Sequence, residues 1–252
     1  MKFAVVTGVS KGLGESIATF FLETGINVIG ISRTANENLT EVAKQHNSLF
    51  SHYVCDLSDL SAIENTFAEL SEELFAADPS TVYLVNNAAA LEPIDQAMQI
   101  KSKDLAHHVQ VNTIAPMVLT NLLLQRATEN EVTLLCANVT SGAAERPVYG
   151  WSAYCSTKAS INMYTKTVAL EQDELKTGNK VIAFSPGVMD TAMQEKIRAS
   201  SHEEFAEVDK FRDYKKNNIL KDTDAVGGVL VDILTDETSV QNGKIYNVRD
   251  YF

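Results

Sequence analysis

Short apolar, β-branched runs alternate along this chain with longer stretches in which apolar positions recur every three or four residues. The runs are Phe3–Thr7, Asn27–Ser32, Phe50–Cys55, Thr81–Asn86, Val132–Val139, Lys180–Ser185 and Lys244–Val248, each of strand length. Between them, Gly14–Glu23, Ala62–Phe75, Leu105–Gln125, Tyr154–Leu175 and Thr223–Leu234 have the length and period of amphipathic helices. Strands that read as almost unbroken apolar runs are buried on both faces, which requires helices on either side. The pattern therefore predicts an α/β fold with about seven strands in a doubly wound parallel sheet.

No repeat, low-complexity tract or Pro/Gly-rich linker divides the 252 residues, so a single domain over 1–252 is expected. One stretch breaks the alternation: Ala192–Leu220 is rich in charge and has no strand. Insertions this long in compact domains are usually functional or disordered. Its place late in the chain, just after Pro186-Gly187, favours a helical substrate lid spanning residues 188–220.

Composition narrows the partners. Thirty-three acidic against 21 basic residues give a formal charge of -12, which repels nucleic acid and anionic lipid. Cys55, Cys136 and Cys155 have no zinc-knot or disulfide spacing, so no metal is expected. With no signal-peptide pattern and no stretch of membrane-spanning length, a cytoplasmic protein acting on a small molecule is expected.

The first strand runs into Thr7-Gly8-Val9-Ser10-Lys11-Gly12-Leu13-Gly14, and a helix follows. Glycines at such a turn let backbone N–H groups approach a pyrophosphate, whose charge the helix N-terminus favours. Taken alone, the glycines fit an ordinary βα turn; placed between first strand and first helix, they point to a dinucleotide. The second strand ends Gly30-Ile31-Ser32-Arg33-Thr34, with no acid to bond a free ribose 2′-hydroxyl. Arg33 offers a planar fork to a 2′-phosphate and Lys11 a second positive charge, which favours NADP(H) over NAD(H). The plainer reading of Arg33 is a solvated arginine at a strand end.

Tyr154 and Lys158 are four residues apart, on one face of a predicted helix. An ammonium beside a phenol stabilises the phenolate and suits the tyrosine to proton transfer. Such a pair is also a common surface contact. Its setting adds weight: Ser141 lies thirteen residues upstream, just past a strand end where a parallel sheet binds ligands, and Asn112 lies within the preceding long helix.

The TGxxxGxG spacing and the Asn112, Ser141, Tyr154, Lys158 set, in that chain order, resemble the short-chain dehydrogenase/reductase family, and the resemblance covers essentially the whole chain. It implies a Rossmann-type domain and hydride transfer to a carbonyl, with Tyr154 as proton donor and Ser141 polarising the carbonyl. It further implies that Lys158 bonds the nicotinamide ribose and lowers the tyrosine pKa, and that Asn112 holds a relay water. By the same resemblance, Gly8, Ser10, Lys11, Gly12, Leu13 and Gly14 take the pyrophosphate side, and Asp56 and Leu57 the adenine. Asn87 and Ala88 border the cofactor, and Pro186, Gly187, Val188 and Thr191 hold the nicotinamide carboxamide. In Asn86-Asn87-Ala88-Ala89 an alanine stands where the family has glycine, so Ala89 must avoid positive φ.

Gly150-Trp151, Pro186–Gln194 and the Asn242-Gly243 turn resemble the sepiapterin-reductase-like branch, including its bacterial benzil-reducing members. That likeness implies an apolar 1,2-diketone or a compact bicyclic ketone as substrate. Ala143, Ala144, Tyr149, Trp151, Val188, Met189 and Met193 would join Ser141 and Tyr154 in the pocket wall, where no lysine or arginine offers a charged substrate an anchor. Several of these are equally ordinary core residues. An acyl-carrier ketoreductase and a non-catalytic NADP(H) sensor are the competing functions. The family resemblance also implies a homodimer or homotetramer built on the helices holding Asn112 and Tyr154. His107-His108 lacks a further ligand at metal spacing and reads as a solvated or packed pair, and Cys155 as packing.

Overall fold

The computed structural model describes residues 1–252. Seven strands, β1 (Lys2–Thr7), β2 (Asn27–Ser32), β3 (Phe50–Val54), β4 (Thr81–Asn86), β5 (Thr133–Val139), β6 (Lys180–Ser185) and β7 (Ile245–Asn247), form one parallel sheet in the order β3-β2-β1-β4-β5-β6-β7. The chain runs outward from β1 to β3 and returns to place β4 on the other side of β1. Ligands bind parallel sheets outside the strand carboxyl ends at such a switch point, and it fixes where the site must lie.

The helices are α1 (Leu13–Glu23), α2 (Glu37–Gln45), α3 (Leu60–Ala76), α4 (Ser102–Val109), α5 (Ala115–Glu129), α6 (Ser152–Leu175), α7 (Ala192–Ala199), α8 (Val208–Lys216) and α9 (Thr223–Thr235). One sheet face buries Ile17, Phe21, Leu230 and Leu234 from α1 and α9. The other buries Phe67, Leu70, Leu119 and Leu123 from α3 and α5. Both faces of the strands are thereby covered, as their unbroken apolar runs require.

Caps set several boundaries. Asp59 accepts hydrogen bonds from Ser61 N and Ala62 N and starts α3 two residues before the apolar period begins. Asp222 does the same for α9. Helix α2, which the apolar pattern does not predict, is capped by Asn36 and buries only Leu39 and Ala43. The stretch expected as one helix over Leu105–Gln125 extends from α4 to α5 through a π-helical turn at Gln110–Ile114, which carries Asn112. Such bulges are frequent at functional positions.

Candidate active site

A cavity of about 1360 Å³ runs along the strand carboxyl ends, bounded by the loops after β1 to β6 and by α7 and α8. Gly8, Ser10, Lys11, Gly12 and Leu13 form one end. Gly8 and Gly12 have φ of +76° and +62°, and a Cβ on Gly14 would meet Gly8 O at 2.2 Å. All three positions therefore need glycine. The N-cap of α1, Gly12, supplies no side-chain hydrogen bond, which leaves the first-turn N–H groups to an anion. Asn87 closes the loop from beneath by donating Nδ2–H to Thr7 O at 3.0 Å. Ala89 lines the cavity and is absent from the positive-φ residues, so its methyl group is accommodated.

Arg33 lies exposed on the cavity edge with no ion-pair partner, and Lys11 is exposed on the same edge. The Asp56 carboxylate is turned onto its own loop, accepting from Ser58 N at 2.9 Å and Ser58 Oγ at 2.8 Å. Those bonds hold it below the usual carboxylate range, with a smaller contribution from Arg33. Leu57, Ala88, Pro186, Gly187, Val188 and Thr191 line the same cavity. This end suits a dinucleotide with an extra phosphate: a glycine cradle, an uncapped helix start and two free cations.

Ser141, Tyr154 and Lys158 meet on the cavity wall where β5 ends against α6. Ser141 Oγ accepts from Ala143 N at 3.2 Å, so its hydroxyl proton is free for another acceptor. The expected depression of the tyrosine does not appear. Burial pushes the Tyr154 phenol up to about 12, and the neighbouring Ser141 hydroxyl only partly offsets this. Lys158, itself buried, falls to about 8 by the same desolvation. Its ammonium donates to Val139 O at 2.8 Å and stands 5.7 Å from the Tyr154 ring centre. Asn112 lies behind this wall. Its Oδ1 accepts from Ala90 N at 2.7 Å and its Nδ2 donates to Ala90 O at 2.8 Å.

The segment expected as a lid carries α7 and α8 over an aromatic chamber. Trp151 stacks on Phe205 with ring centres 4.6 Å apart, and Phe211 packs edge-on to Trp151 at 5.5 Å. Tyr154 lies 5.2 Å from the same indole. Gly150 makes this docking possible: with φ at +83°, a Cβ there would meet Glu204 O at 2.0 Å. Ala143, Val188 and Met193 line the cavity beside these rings, together with Leu91, Val148, Ile197 and Tyr214, which the motifs do not single out, while Met189 lines the same cavity but packs on the core beneath α1 and α9.

Two expectations about the wall need correction. Tyr149 is 52% exposed and outside the cavity, because the left-handed turn at Gly150 sends Trp151 inward and leaves Tyr149 on the surface. Ala144 is likewise absent from the lining and borders a shallow depression with Cys155 behind Ser141. Cations do reach the outer wall, at Arg146, Lys196 and Lys210. Each is paired: Arg146 grips Glu207 in two bonds of 2.6 and 2.9 Å, Lys210 joins the same carboxylate at 3.2 Å, and Lys196 bonds Glu92 at 2.9 Å.

No helix is long and apolar enough to cross a membrane. The short chain dehydrogenase family pattern matches residues 2–202. Benzil reductases ((S)-benzoin forming) from Bacillus cereus and Bacillus subtilis are 37% and 38% identical over 250 and 251 residues, covering 99% and 100% of this chain and 100% of each relative. A sepiapterin reductase from Xenopus laevis is 28% identical over 201 residues, 76% of this chain and 74% of that one. Among solved structures, the KRED1-Pglu enzyme superposes with a TM-score of 0.83 at 27% identity, covering 97% of this chain and 100% of that one. This chain therefore belongs to the short-chain dehydrogenase/reductase family, a Rossmann-like group of oxidoreductases that work on small molecules with a nicotinamide cofactor.

Proposed function

We propose that this chain is an NADPH-dependent carbonyl reductase that reduces one carbonyl of an apolar 1,2-diketone of the benzil type to the α-hydroxy ketone. The observation that carries this reading is the chamber beside Tyr154, lined by Leu91, Val148, Trp151, Phe211 and Tyr214 with Phe205 buried behind the indole, and with the lid cations Lys196 and Lys210 and their neighbour Arg146 each paired to a carboxylate. A flat aryl ketone finds ring partners there, whereas a carboxylate or coenzyme thioester would have to break an ion pair to gain an anchor on Arg146, Lys196 or Lys210. The names of the two Bacillus relatives favour the same substrate class.

The glycine cradle, with Arg33 and Lys11 exposed at its edge, would hold NADPH, which would supply the hydride for the carbonyl carbon. Tyr154 gives its proton to the carbonyl oxygen, completing the alcohol. The phenol is protonated at neutral pH and so can act as the donor, although burial, which holds it at about 12, makes it a weaker acid than a free tyrosine until a cation such as Lys158 stabilises its phenolate. Ser141 keeps its proton and donates a hydrogen bond to the same oxygen, and the charged form of Lys158 stabilises the phenolate left behind. Asn112 fixes the loop after β4, and residues 188–220 act as the lid. Met163 and Leu170, exposed on α6, suit pairing of two copies as a homodimer or within a homotetramer.

The test is NADPH oxidation with benzil, a sepiapterin-like ketone and an acetoacetyl thioester, on the wild type and on Tyr154→Phe. We expect benzil to have the highest kcat/KM. The variant should bind NADPH normally while kcat falls by about 10² to 10⁴. Preference for the thioester would make the chain an acyl-carrier-type ketoreductase, and NADPH binding without turnover of any carbonyl would make it a sensor.

A further inference from the structure

His108 is wholly buried and takes no part in the chemistry above. It sits one helical turn before Asn112, and the two side chains reach the same loop. Asn112 grips Ala90 through both backbone atoms, while His108 Nδ1 lies 2.7 Å from Glu92 O. His108 Nε2 lies 2.9 Å from Asn112 Nδ2 and 3.2 Å from Thr157 Oγ1, on the turn of α6 between Tyr154 and Lys158. One imidazole thus touches the loop after β4, the π turn and the catalytic helix.

The donors and acceptors allow one assignment. Ala90 N is a donor, so the Asn112 atom facing it is the oxygen, and the amide nitrogen faces Ala90 O and His108. An amide nitrogen only donates, so His108 Nε2 must accept and carry no proton. A neutral imidazole then bears its proton on Nδ1, where Glu92 O is waiting. Thr157 Oγ1, 3.2 Å away, can turn its single proton to the bare Nε2, its alternative acceptors being Ala153 O at 3.0 Å and Tyr154 O at 3.1 Å. A proton on Nε2 would set two donors against each other in a dry interior. Turning the Asn112 amide over to relieve this would break both bonds to Ala90.

We propose that His108 is a positioning residue for carbonyl reduction: its unprotonated Nε2 locks the Asn112 amide, and through it the loop that borders the cofactor and substrate chambers. This rests on the reductase reading. The loop contributes Ala88 and Ala89 to the dinucleotide end and Leu91 to the aromatic chamber, so loosening it disturbs the approach of donor to carbonyl. Surroundings favour the neutral ring. Burial holds its pKa below the ordinary 6.5, the Glu92 carbonyl opposes this, and the charges of Lys158 and His107 add to it. Tyr154, the other titratable group facing it, has its ring centre 6.1 Å away and is neutral at these pH values. The Glu92 carboxylate is turned to Lys196. Because the working form is the unprotonated one, activity falls as pH drops through the folded-state value, below about 6.5.

The experiment uses the full chain and three readouts. Nitrogen-15 NMR of the wild type should find His108 neutral with its proton on Nδ1 near pH 7. His108→Gln restores an acceptor near Nε2, and His108→Asn keeps only a donor near Nδ1. We expect Gln to retain kcat within about threefold and to lose the acid limb of the pH profile, while Asn loses roughly 10- to 100-fold in kcat. KM for benzil should change less than kcat, and Asn should raise amide exchange at Ala90. An Nδ1-unprotonated or charged ring at neutral pH, or a His108→Asn enzyme with wild-type kcat and Ala90 exchange, overturns the proposal. Should the wild type reduce no carbonyl, the functional reading falls instead, and the tautomer and Ala90 exchange still decide whether His108 locks the loop.

Discussion

Replacing Lys158 with methionine should change how stability depends on pH in one defined window. Lys158 is 4% exposed, and its ammonium is held at about 8 against an ordinary 10.5, solely by loss of hydration. Between those values the unfolded chain keeps the proton and the folded chain releases it. Stability contributed by this group therefore rises with pH across the window, by about 1.4 kcal/mol per pH unit. Other groups act oppositely. Cys136 and Tyr154 are each held up at about 12 by burial, so wild-type stability loses their contributions above their ordinary values of 9.0 and 10.0. Both groups remain in Lys158→Met, so the difference between the two proteins isolates the lysine. In urea unfolding without added cofactor, wild type should gain about 2 kcal/mol on the variant between about pH 8 and 9.5. A difference that stays flat over that interval would show that the ammonium keeps its hydration, and would refute the account of this site as dry.

Arg33→Ala should weaken NADPH by roughly 10- to 150-fold, the loss of one charge-assisted phosphate contact of about 1.5 to 3 kcal/mol, with NADH little changed. Titrations with both cofactors check this, and equal losses would remove Arg33 from the 2′-phosphate. Gly150→Ala should destabilise the fold by on the order of 3 kcal/mol, since φ there is +83° and the new Cβ would lie 2.0 Å from Glu204 O. Thermal melts read the loss, and KM for benzil should rise more than the NADPH dissociation constant, because Glu204 lies in the segment proposed as a lid and not in the glycine cradle.

Much of the frame is legible in the sequence because its physics is local. Strands β2, β4 and β6 coincide with the runs read from the sequence, since strands covered on both faces have no polar side to blur their edges. Helix α2 escapes notice because nine residues burying only Leu39 and Ala43 leave almost no period to detect. The π turn escapes for another reason. It inserts one residue's worth of slack into a helix whose apolar spacing continues, so its signature lies in the backbone hydrogen bonds and not in residue type.

The site divides along the same line. Glycines, Ser141, Tyr154 and Lys158 fall near one another in sequence or at strand ends, and the sheet order brings them to one edge. What stays hidden depends on pairs far apart in the chain. Arg146 is not singled out by the motifs, and its pairing partner Glu207 lies sixty-one residues on. His108 reads as a solvated or packed pair with His107, since nothing nearby in sequence announces that Glu92 O and Thr157 flank it. Gly150-Trp151 stands between these cases. The dipeptide is visible in the sequence, but its work, admitting a lid carbonyl over the glycine and an aromatic lid residue onto the indole, is defined only by Glu204 and Phe205. A substitution among residues 188–220, the segment proposed as a lid, can therefore act on Tyr154 through Trp151 without touching any of the four residues proposed as catalytic, so substrate preference, read as kcat/KM for benzil against a sepiapterin-like ketone, should be altered at Phe211 and at Phe205 behind the indole more readily than at the wall formed by β5.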